Sequence, residues 1–402
     1  MVAVISKLFG LAYIETAEDI VSDAFLKAAE TWYVKGMPAN PAAWLYTVAK
    51  NNALYYFKRN SLFAQKVLPV LKATTGSDEN IEMDFSGENI RDSQLQMMFA
   101  VCEPVIASEA QIGLALRVLC GFGIDEIAEA FFTSKETINK RLQRAKEKLR
   151  DSNIKMEMPP AETLNSRLNN VLHIIYLLFN EGYYSITHND ILRKDLCLEA
   201  IRLGVILTDY SLTNQPKTNA LMALMCYHSS RLDARQGNNG NYVLYDEQDE
   251  SLWDRALVEQ GNYFFSLSAR GEEVTSYHIE ASIAYWHCKK NDSAEKWENI
   301  LELYNRLLQI NYSPSVALNR LFALYKAKGR EEAITEAETL KLDNNHFYFV
   351  LLGELYKGTD NDKAKQHYHK GLLLAKTQAD KNIIQRKMDE LDKDGLKATK
   401  HR

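Results

Sequence analysis

The spacing of apolar residues is helical along almost the whole chain. Apolar positions recur three and four residues apart, Gly and Pro are scarce, and no stretch shows the strict alternation of a half-buried strand. The pattern therefore predicts an all-α protein. At 402 residues, the chain is long enough for two or three domains and is not a single small module.

Breaks in this pattern divide the chain into segments. Residues 76–89 are polar, acidic and aperiodic, which indicates a flexible linker, and Pro159 and Pro160 interrupt the helical pattern further on. The predicted segments are a helical unit at 1–60, a flexible acidic linker at 61–91, a second unit at 92–152, a larger all-helical domain at 161–378 and a charged C-terminal tail at 379–402.

The larger domain contains an internal repeat. ALYKAKGREEAI at 323–334 and ELYKGTDNDKAK at 354–365 align with a period of 31 residues. An aromatic residue, a turn and then a small residue let helix pairs stack closely, as in tetratricopeptide (TPR) repeats. With only two repeats detectable, ordinary packed helices without a ligand are an equally open alternative. The residues predicted to pack the TPR-like repeats are Tyr325, Gly329, Ala333, Gly353, Tyr356 and Ala364.

One predicted helix carries far more positive charge than the rest of the chain. Residues 135–150 hold seven Lys or Arg and two Glu, in a protein whose formal net charge is -5. The mildly acidic chain as a whole does not suit general coating of nucleic acid or membrane, so this helix indicates a local anionic partner.

The context of the basic helix is typical of a helix-turn-helix. A short helix is predicted after Gly123, a break follows at 132–134, and Ser134 can cap the basic helix. In such a pair the second helix enters the major groove of DNA. Phe132 stands where the turn commonly has Gly with positive φ, so another turn geometry is expected. The residues predicted to face the core are Ile138, Leu142, Ala145 and Leu149.

The outward side of the basic helix carries the side chains that pair with base edges and phosphates. A solvated basic helix without a nucleic-acid partner is the alternative. The residues predicted to bind duplex DNA are Ser134, Lys135, Glu136, Thr137, Asn139, Lys140, Arg141, Gln143 and Arg144.

The first unit combines an acidic helix with a basic one. Residues 17–32 are amphipathic with an acidic outer side, which suits a basic protein partner. Residues 40–60 carry Lys50, Lys58 and Arg59, no acidic residue and interleaved aromatics. This combination is typical of single-stranded DNA binding, in which phosphates are neutralised and bases stack on rings. For Trp44 taken alone, a core position is the stronger interpretation.

Three segments of the chain, in this order, resemble regions 2 and 4 of the extracytoplasmic-function (ECF) sigma factors of bacterial RNA polymerase. They are AEDIVSDAFL, PAAWLYTVAKNNAL and GFGIDEIAEAFFTSKETINKRLQRAKEKLR. Further along, IYLLFNEGYYS, DLCLEAIRLG and SPSVALNR are similar to the ECF subgroup that has a TPR-containing C-terminal extension. The resemblance covers nearly the whole chain.

The resemblance implies a transcription initiation factor that binds core RNA polymerase and promoter DNA and has no catalytic chemistry. Glu18, Asp19 and Asp23 would lie on the helix that docks the polymerase β′ coiled coil, and the β flap would be a further contact. The helix from Ser134 would read the minus-thirty-five element as duplex. The C-terminal extension would be regulatory, with a possible protein or peptide partner. The residues that would bind the melted minus-ten element are Lys50, Asn51, Asn52, Tyr55, Lys58 and Arg59.

The sequence contains no signature of a metal site, a cofactor site or membrane insertion. The five cysteines are widely spaced, without a Cys-x-x-Cys pair, and we expect reduced thiols in a cytoplasmic protein. The most apolar run, 171–179, is much shorter than the roughly 20 residues that span a bilayer.

Two other classes of function fit parts of the sequence. An enzyme would use polar residues that lie among apolar ones in the third domain, but no metal-ligand motif, phosphate loop or nucleophile motif accompanies them. A TPR-type scaffold with a purely structural helix-turn-helix is the second alternative, and weak salt dependence of its binding would distinguish it. The polar residues in question are Asn180, Glu181, His228, Arg231, His278, Glu280 and His287.

Overall fold

The computed structural model describes residues 1–59, 84, 86–131, 133–183, 193–235, 243 and 245–400. The chain groups into two compact units, Met1–Leu178 and Phe179–Arg402. The predicted all-α fold is confirmed, because the described residues form helices and connecting turns without a strand. Among these helices, none has the length and apolar character needed to cross a membrane.

The first unit is built from short and medium-length helices. A 3₁₀ turn, Leu11–Tyr13, joins the first two, and a π-helical turn, Ala115–Cys120, continues the fifth. The helices are α1 (Val2–Phe9), α2 (Ile14–Lys35), α3 (Pro41–Arg59), α4 (Gly87–Val101), α5 (Ser108–Leu114), α6 (Ile124–Ala130), α7 (Lys135–Asp151) and α8 (Ala161–Tyr183), the last of which ends in the second unit.

Small residues let α2 and α3 lie close together. Ala24 of α2 and Ala49 and Ala53 of α3 are completely buried. Ile5 and Phe9 of α1 pack into the same apolar cluster. Because alanine projects little beyond the backbone, the core between these helices is closed by the side chains of α1.

Helix α4 begins inside the predicted linker at 61–91. The hydroxyl of Ser86 accepts a hydrogen bond from the backbone N–H of Asn89 at 3.3 Å, so Ser86 caps a helix that starts at Gly87. A polar, aperiodic stretch can therefore contain a helix start, since capping residues are polar themselves. Residues 60–83, which hold most of the predicted linker, lie outside the described residues.

The start of α8 belongs to the first unit, although the larger all-helical domain predicted at 161–378 begins there. Arg167 donates to the carbonyl of Phe99 at 2.7 Å, and the side-chain amide of Asn170 donates to the carbonyl of Cys102. Both carbonyls lie at the end of α4, where helical partners are missing. Residues 161–178 are thus part of the first unit's fold.

The second unit continues as a series of consecutive helices. They are α9 (Lys194–Thr208), α10 (Pro216–Ser229), α11 (Arg255–Ser268), α12 (Ser276–His287), α13 (Ala294–Ile310), α14 (Pro314–Lys328), α15 (Arg330–Ala337), α16 (His346–Tyr356), α17 (Asn361–Leu374) and α18 (Gln378–Lys400).

Helix α10 is buried on almost every side, and α11 and α12 pack against it. Its residue Tyr227 is completely buried beside Gly261 of α11. A Cβ atom at Gly261 would lie 2.6 Å from the Tyr227 ring, so glycine is what allows these two helices to approach.

The segment at 379–402, predicted as a charged tail, is corrected by the structure. Most of it is the helix α18, whose residues Ile384, Met388 and Leu391 are buried in the core formed with α13 to α17. These three residues recur four and three positions apart, which gives the helix one apolar side. The many charged residues between them concealed that spacing in the sequence.

Candidate nucleic-acid and polymerase interface

Helix α7 has one buried and one exposed side, as the sequence predicts. Its buried residues are the predicted Ile138, Leu142, Ala145 and Leu149. The predicted cap is also confirmed, because the Ser134 hydroxyl accepts a hydrogen bond from the backbone N–H of Thr137 at 3.2 Å. The predicted short helix after Gly123 is α6, and it packs against α7.

The residues predicted to bind duplex DNA share the outer side of α7. All of them are exposed except Arg141, which is half-buried with its guanidinium 5.7 Å from the ring centre of Phe131. Hydrogen bonds from its own backbone N–H and from Ser134 lower the pKa of Glu136, so this carboxylate is ionised at neutral pH. Phe132, which stands in the turn at a position where Gly is common, lies outside the described residues.

The positive charge of this side is mostly uncompensated. Lys135 pairs with Asp125 at 2.7 Å, and both side chains are largely exposed. Lys140 and Arg144 have no carboxylate within ion-pair distance among the described residues. Their charges are therefore available to an external anion such as a phosphate.

Helix α3 presents the predicted single-stranded DNA residues in two environments. Asn51 and Tyr55, one turn apart, are exposed, and Tyr55 has 68% of its surface accessible. Lys50 and Asn52 are half-buried. The side chains of Lys58 and Arg59, also predicted to contact the strand, lie outside the described residues.

Trp44 packs as a core residue would. Its ring meets Trp32 of α2 edge to face at a centroid distance of 5.5 Å, and both residues are half-buried. The contact favours the core interpretation made from the sequence.

An exposed apolar patch on and just after α2 was missed by the sequence analysis. A patch of this kind marks an interaction surface more often than single apolar residues do. The signal was present in the sequence, because these residues fall outside the helical spacing of the buried Ile20, Ala24 and Ala28. The patch consists of Phe25, Leu26, Tyr33, Val34 and Met37, which are 52%, 61%, 92%, 79% and 71% exposed.

The three predicted polymerase-binding carboxylates of α2 are in different environments. Asp19 and Asp23 are exposed one turn apart. Glu18 is buried, with 7% of its surface accessible, and its two carboxylate oxygens pair with Arg117 and Lys146. The structure thus brings Asp19 and Asp23 together on the surface and leaves Glu18 inside.

Comparisons with known proteins agree with these features. The family described as Sigma-70 region 2 matches residues 2–63, and the family described as ECF sigma factor matches residues 79–154. The chain belongs to the ECF sigma factor family. Sigma factors initiate transcription by binding core RNA polymerase and promoter DNA, and they are transcription factors without an enzymatic reaction.

The comparisons say less about the C-terminal part of this sigma factor. A family of unknown function, DUF6596, matches residues 167–269. A Rhizobium meliloti (strain 1021) protein described as uncharacterized is 31% identical over 385 residues, covering 94% of this chain and 90% of that protein. No solved structure matches the chain. The TPR-like character of the extension therefore stays a prediction.

Among the polar residues of the extension that suggested an enzyme, His228, Arg231 and His287 lie close together: burial lowers the pKa of His228, and the charges of Arg231, Arg235 and His287 lower it further. The Nδ1 atom of His228 lies 3.1 Å from the Tyr183 hydroxyl, and Nδ1 of His278 accepts the backbone N–H of Thr275 and caps α12. Burial raises the pKa of the Cys226 thiol to about 12, which keeps it protonated. Within the described residues, no three His, Cys, Asp or Glu side chains are grouped to hold a metal.

The predicted repeat residues lie at corresponding places in two helix pairs. Tyr325 and Tyr356 stand near the ends of α14 and α16, and Ala333 and Ala364 are completely buried in α15 and α17. Gly329, at the turn between α14 and α15, has a φ of +99°, which only glycine adopts without strain.

Proposed function

We propose that this sigma factor binds core RNA polymerase through the acidic side of α2 and directs it to specific promoters. In this proposal α3 binds the melted minus-ten strand, and α7 reads the minus-thirty-five element as duplex. The observation that carries the proposal is the outer side of α7, on which Lys140 and Arg144 are exposed without a carboxylate partner among the described residues.

Two further observations support the roles proposed for α2 and α3. Asp19 and Asp23 offer exposed carboxylates to a basic partner helix, next to the apolar patch that starts at Phe25. Tyr55 offers an exposed ring on a helix without acidic residues, and a ring of this kind can stack with an unpaired base. Unstacking a base costs a few kcal/mol, which such contacts offset.

Run-off transcription tests the proposal. Core RNA polymerase is incubated with and without the protein on DNA that carries the upstream region of its own gene. Discrete transcripts should appear only with the protein. The variant Lys140→Ala/Arg144→Ala should lower promoter-directed transcription by about 10-fold or more, because each good base or phosphate pairing contributes about 1–3 kcal/mol.

A control variant with the same loss of charge distinguishes direct DNA contact from a general effect of charge. Arg150→Ala/Lys155→Ala also removes two exposed cations and should leave transcription near the wild-type level. Core-polymerase binding should survive in both double variants. Promoter-directed transcription that survives in the Lys140/Arg144 variant would show that the DNA-reading side is misassigned. Binding to a protein partner without steep salt dependence, and no salt-sensitive binding to DNA, would favour the scaffold alternative.

We further propose that the second unit regulates the sigma factor, through a protein or peptide partner. Its length and the predicted repeats support this role. Promoter output that keeps its strength and its regulation after removal of residues 184–402 would contradict it.

A further inference from the structure

Two buried cations of the second unit lie against the same tyrosine ring. The guanidinium carbon of Arg231 is 5.4 Å from the ring centre of Tyr245, and Nζ of Lys296 is 5.1 Å from it. Arg231 is 6% exposed and Lys296 is 1% exposed, so both charges are almost completely removed from water. A buried charge is costly unless opposite charge or hydrogen bonds compensate it.

The guanidinium of Arg231 has no such compensation from the chain. Its side chain makes no hydrogen bond and no ion pair with the described residues, and its Nε atom is completely buried. The Tyr245 ring attracts the charge but gives the N–H groups no oxygen acceptor. Nε and one Nη of a guanidinium form a fork that suits two oxygens of one anion.

Lys296 is only partly compensated. Its Nζ atom donates to the Tyr245 hydroxyl at 3.0 Å and to the carbonyl of Lys289, which leaves one of its three N–H groups. The neighbouring Asp292 pairs with Lys326 at 2.7 Å instead. Burial lowers the pKa of the Lys296 amine, as it does for a cation without an adjacent counter-ion.

Further polar groups lie beside these two cations. Nδ1 of His287 is buried without a hydrogen-bond partner in the described part of the chain, and its ring centre is 5.1 Å from that of Tyr245. Arg235, 5% exposed, is a third buried cation. Burial lowers the pKa of His228, and the charges of Arg231 and Arg235 lower it further, so both guanidinium groups lie near this imidazole. His228, Tyr245 and His287 are half-buried, so solvent reaches the edge of the cluster.

We propose that Arg231 and Lys296 form a binding site for a phosphate group, either free as inorganic phosphate or carried by a small molecule. Several buried cations in one region favour a ligand with more than one negative charge, and a phosphate group carries about -1.5 to -2 near pH 7. A carboxylate compensates only one of them. The Arg231 fork would bind two phosphate oxygens, and Lys296 would donate to another. The site contains none of the residues proposed to bind DNA or polymerase, so it can be tested independently of that function.

A purely structural role is the competing explanation. Helices α10 and α12 end at Ser229 and His287, and positive charge near the end of a helix is favourable. If this role were sufficient, Arg231 would need no ligand, and added phosphate would not bind at the cluster.

Isothermal titration calorimetry of the full chain in phosphate-free buffer tests the site. Inorganic phosphate and methyl phosphate are the probes, and we expect one of them to bind saturably with one molecule per chain. Tighter binding of methyl phosphate would indicate a phosphate ester as the ligand, and tighter binding of inorganic phosphate would indicate the free ion. Acetate should bind at least about 10-fold more weakly than the better probe, because it carries a single charge. Absence of saturable binding of both phosphates, or equal binding of acetate, would overturn the inference.

Variants locate the binding. Arg231→Met and Lys296→Met should each weaken it about 10-fold or more, because each removes a charge-assisted hydrogen bond. Arg306→Met removes an exposed cation of the same unit and should bind like the wild type. Lys140→Ala/Arg144→Ala should also bind like the wild type, since phosphate held by the DNA-reading side of α7 is a different site. Binding that is unchanged in the first two variants, or lost in the Lys140/Arg144 variant, would contradict the assignment.

Thermal unfolding provides a second readout, in which the folding of each variant is seen directly. At about ten times its Kd, phosphate should raise the Tm of the wild-type second unit by about 3–5 °C. The same phosphate concentration should shift Arg231→Met only by the general effect of the salt. An equal shift in both proteins would show that phosphate acts without this site.

Discussion

Two histidines of the second unit show how burial determines whether a side chain is charged. Burial, together with the nearby charges of Arg231 and Lys296, lowers the pKa of His287 to about 3, from an ordinary value of about 6.5. Burial, followed by the charges of Arg231 and Arg235, also lowers the pKa of His228. Both imidazoles are therefore neutral at pH 7, which suits a structural position better than proton transfer near neutrality.

The lowered pKa of His287 predicts acid sensitivity. The unfolded chain takes up this proton near pH 6.5 and the folded chain only near pH 3, so stability is complete above 6.5 and falls as the pH decreases. The loss should approach about 1.4 kcal/mol per pH unit for one histidine. Urea unfolding at several pH values between 7 and 4 measures it, and His287→Gln should show a shallower decline. An equally steep decline in the variant would contradict this assignment.

At the scale of helices, local spacing was enough to predict α7 but not its contacts. The buried side of α7 follows from residues three and four positions apart, and its cap from Ser134 directly before the first turn. Glu18 carries no such local signal. Its partners Arg117 and Lys146 are 99 and 128 residues away, and only the packing of the first unit shows that this acidic residue is internal.

The two predicted repeats carry large and small residues at exchanged positions. In α16 and α17, Gly353 lies against the ring of Tyr368. One period earlier, the corresponding residues are Phe322 and Ala337, large where the later pair is small. A spacing of 31 residues could be read from the sequence, whereas the contact between Gly353 and Tyr368 is known only from the packed helices.

Gly353→Ala should therefore destabilise the second unit. The added Cβ would overlap the Tyr368 ring, and overpacking of this kind costs about 1–3 kcal/mol. Thermal unfolding measures the loss. As a control, Gly87→Ala adds a Cβ that meets nothing within 4 Å, and it should change stability little. A neutral Gly353→Ala would show that α16 and α17 can separate without cost.

For the molecule as a whole, the order of segments was predictable and their limits were not. Composition and spacing placed two short helical units ahead of a larger helical extension, and the resemblance to ECF sigma factors gave these units their expected roles. The boundary fell elsewhere because α8 contributes residues 161–178 to the first unit. Two prolines before a helix look like a domain boundary, but in this chain they start a helix whose Arg167 and Asn170 bond to the end of α4.

The position of a truncation should consequently decide whether the first unit stays folded. A chain ending at residue 183 keeps α8, whereas a chain ending at residue 156 loses Arg167 and Asn170 and uncovers the carbonyls they bind. Each lost hydrogen bond contributes about 0.5–1.5 kcal/mol net, and the apolar residues of α8 no longer cover the first unit, so the shorter chain should unfold at clearly lower urea concentration. Tryptophan fluorescence measures the unfolding of both chains, because Trp32 and Trp44 are the tryptophans that either chain retains.

Arg167→Ala in the longer chain should reproduce part of the loss of stability, and Glu162→Ala, at an exposed residue, should not. Equal stability of the two truncated chains would show that α8 is dispensable for the first unit and would return the boundary to residue 161.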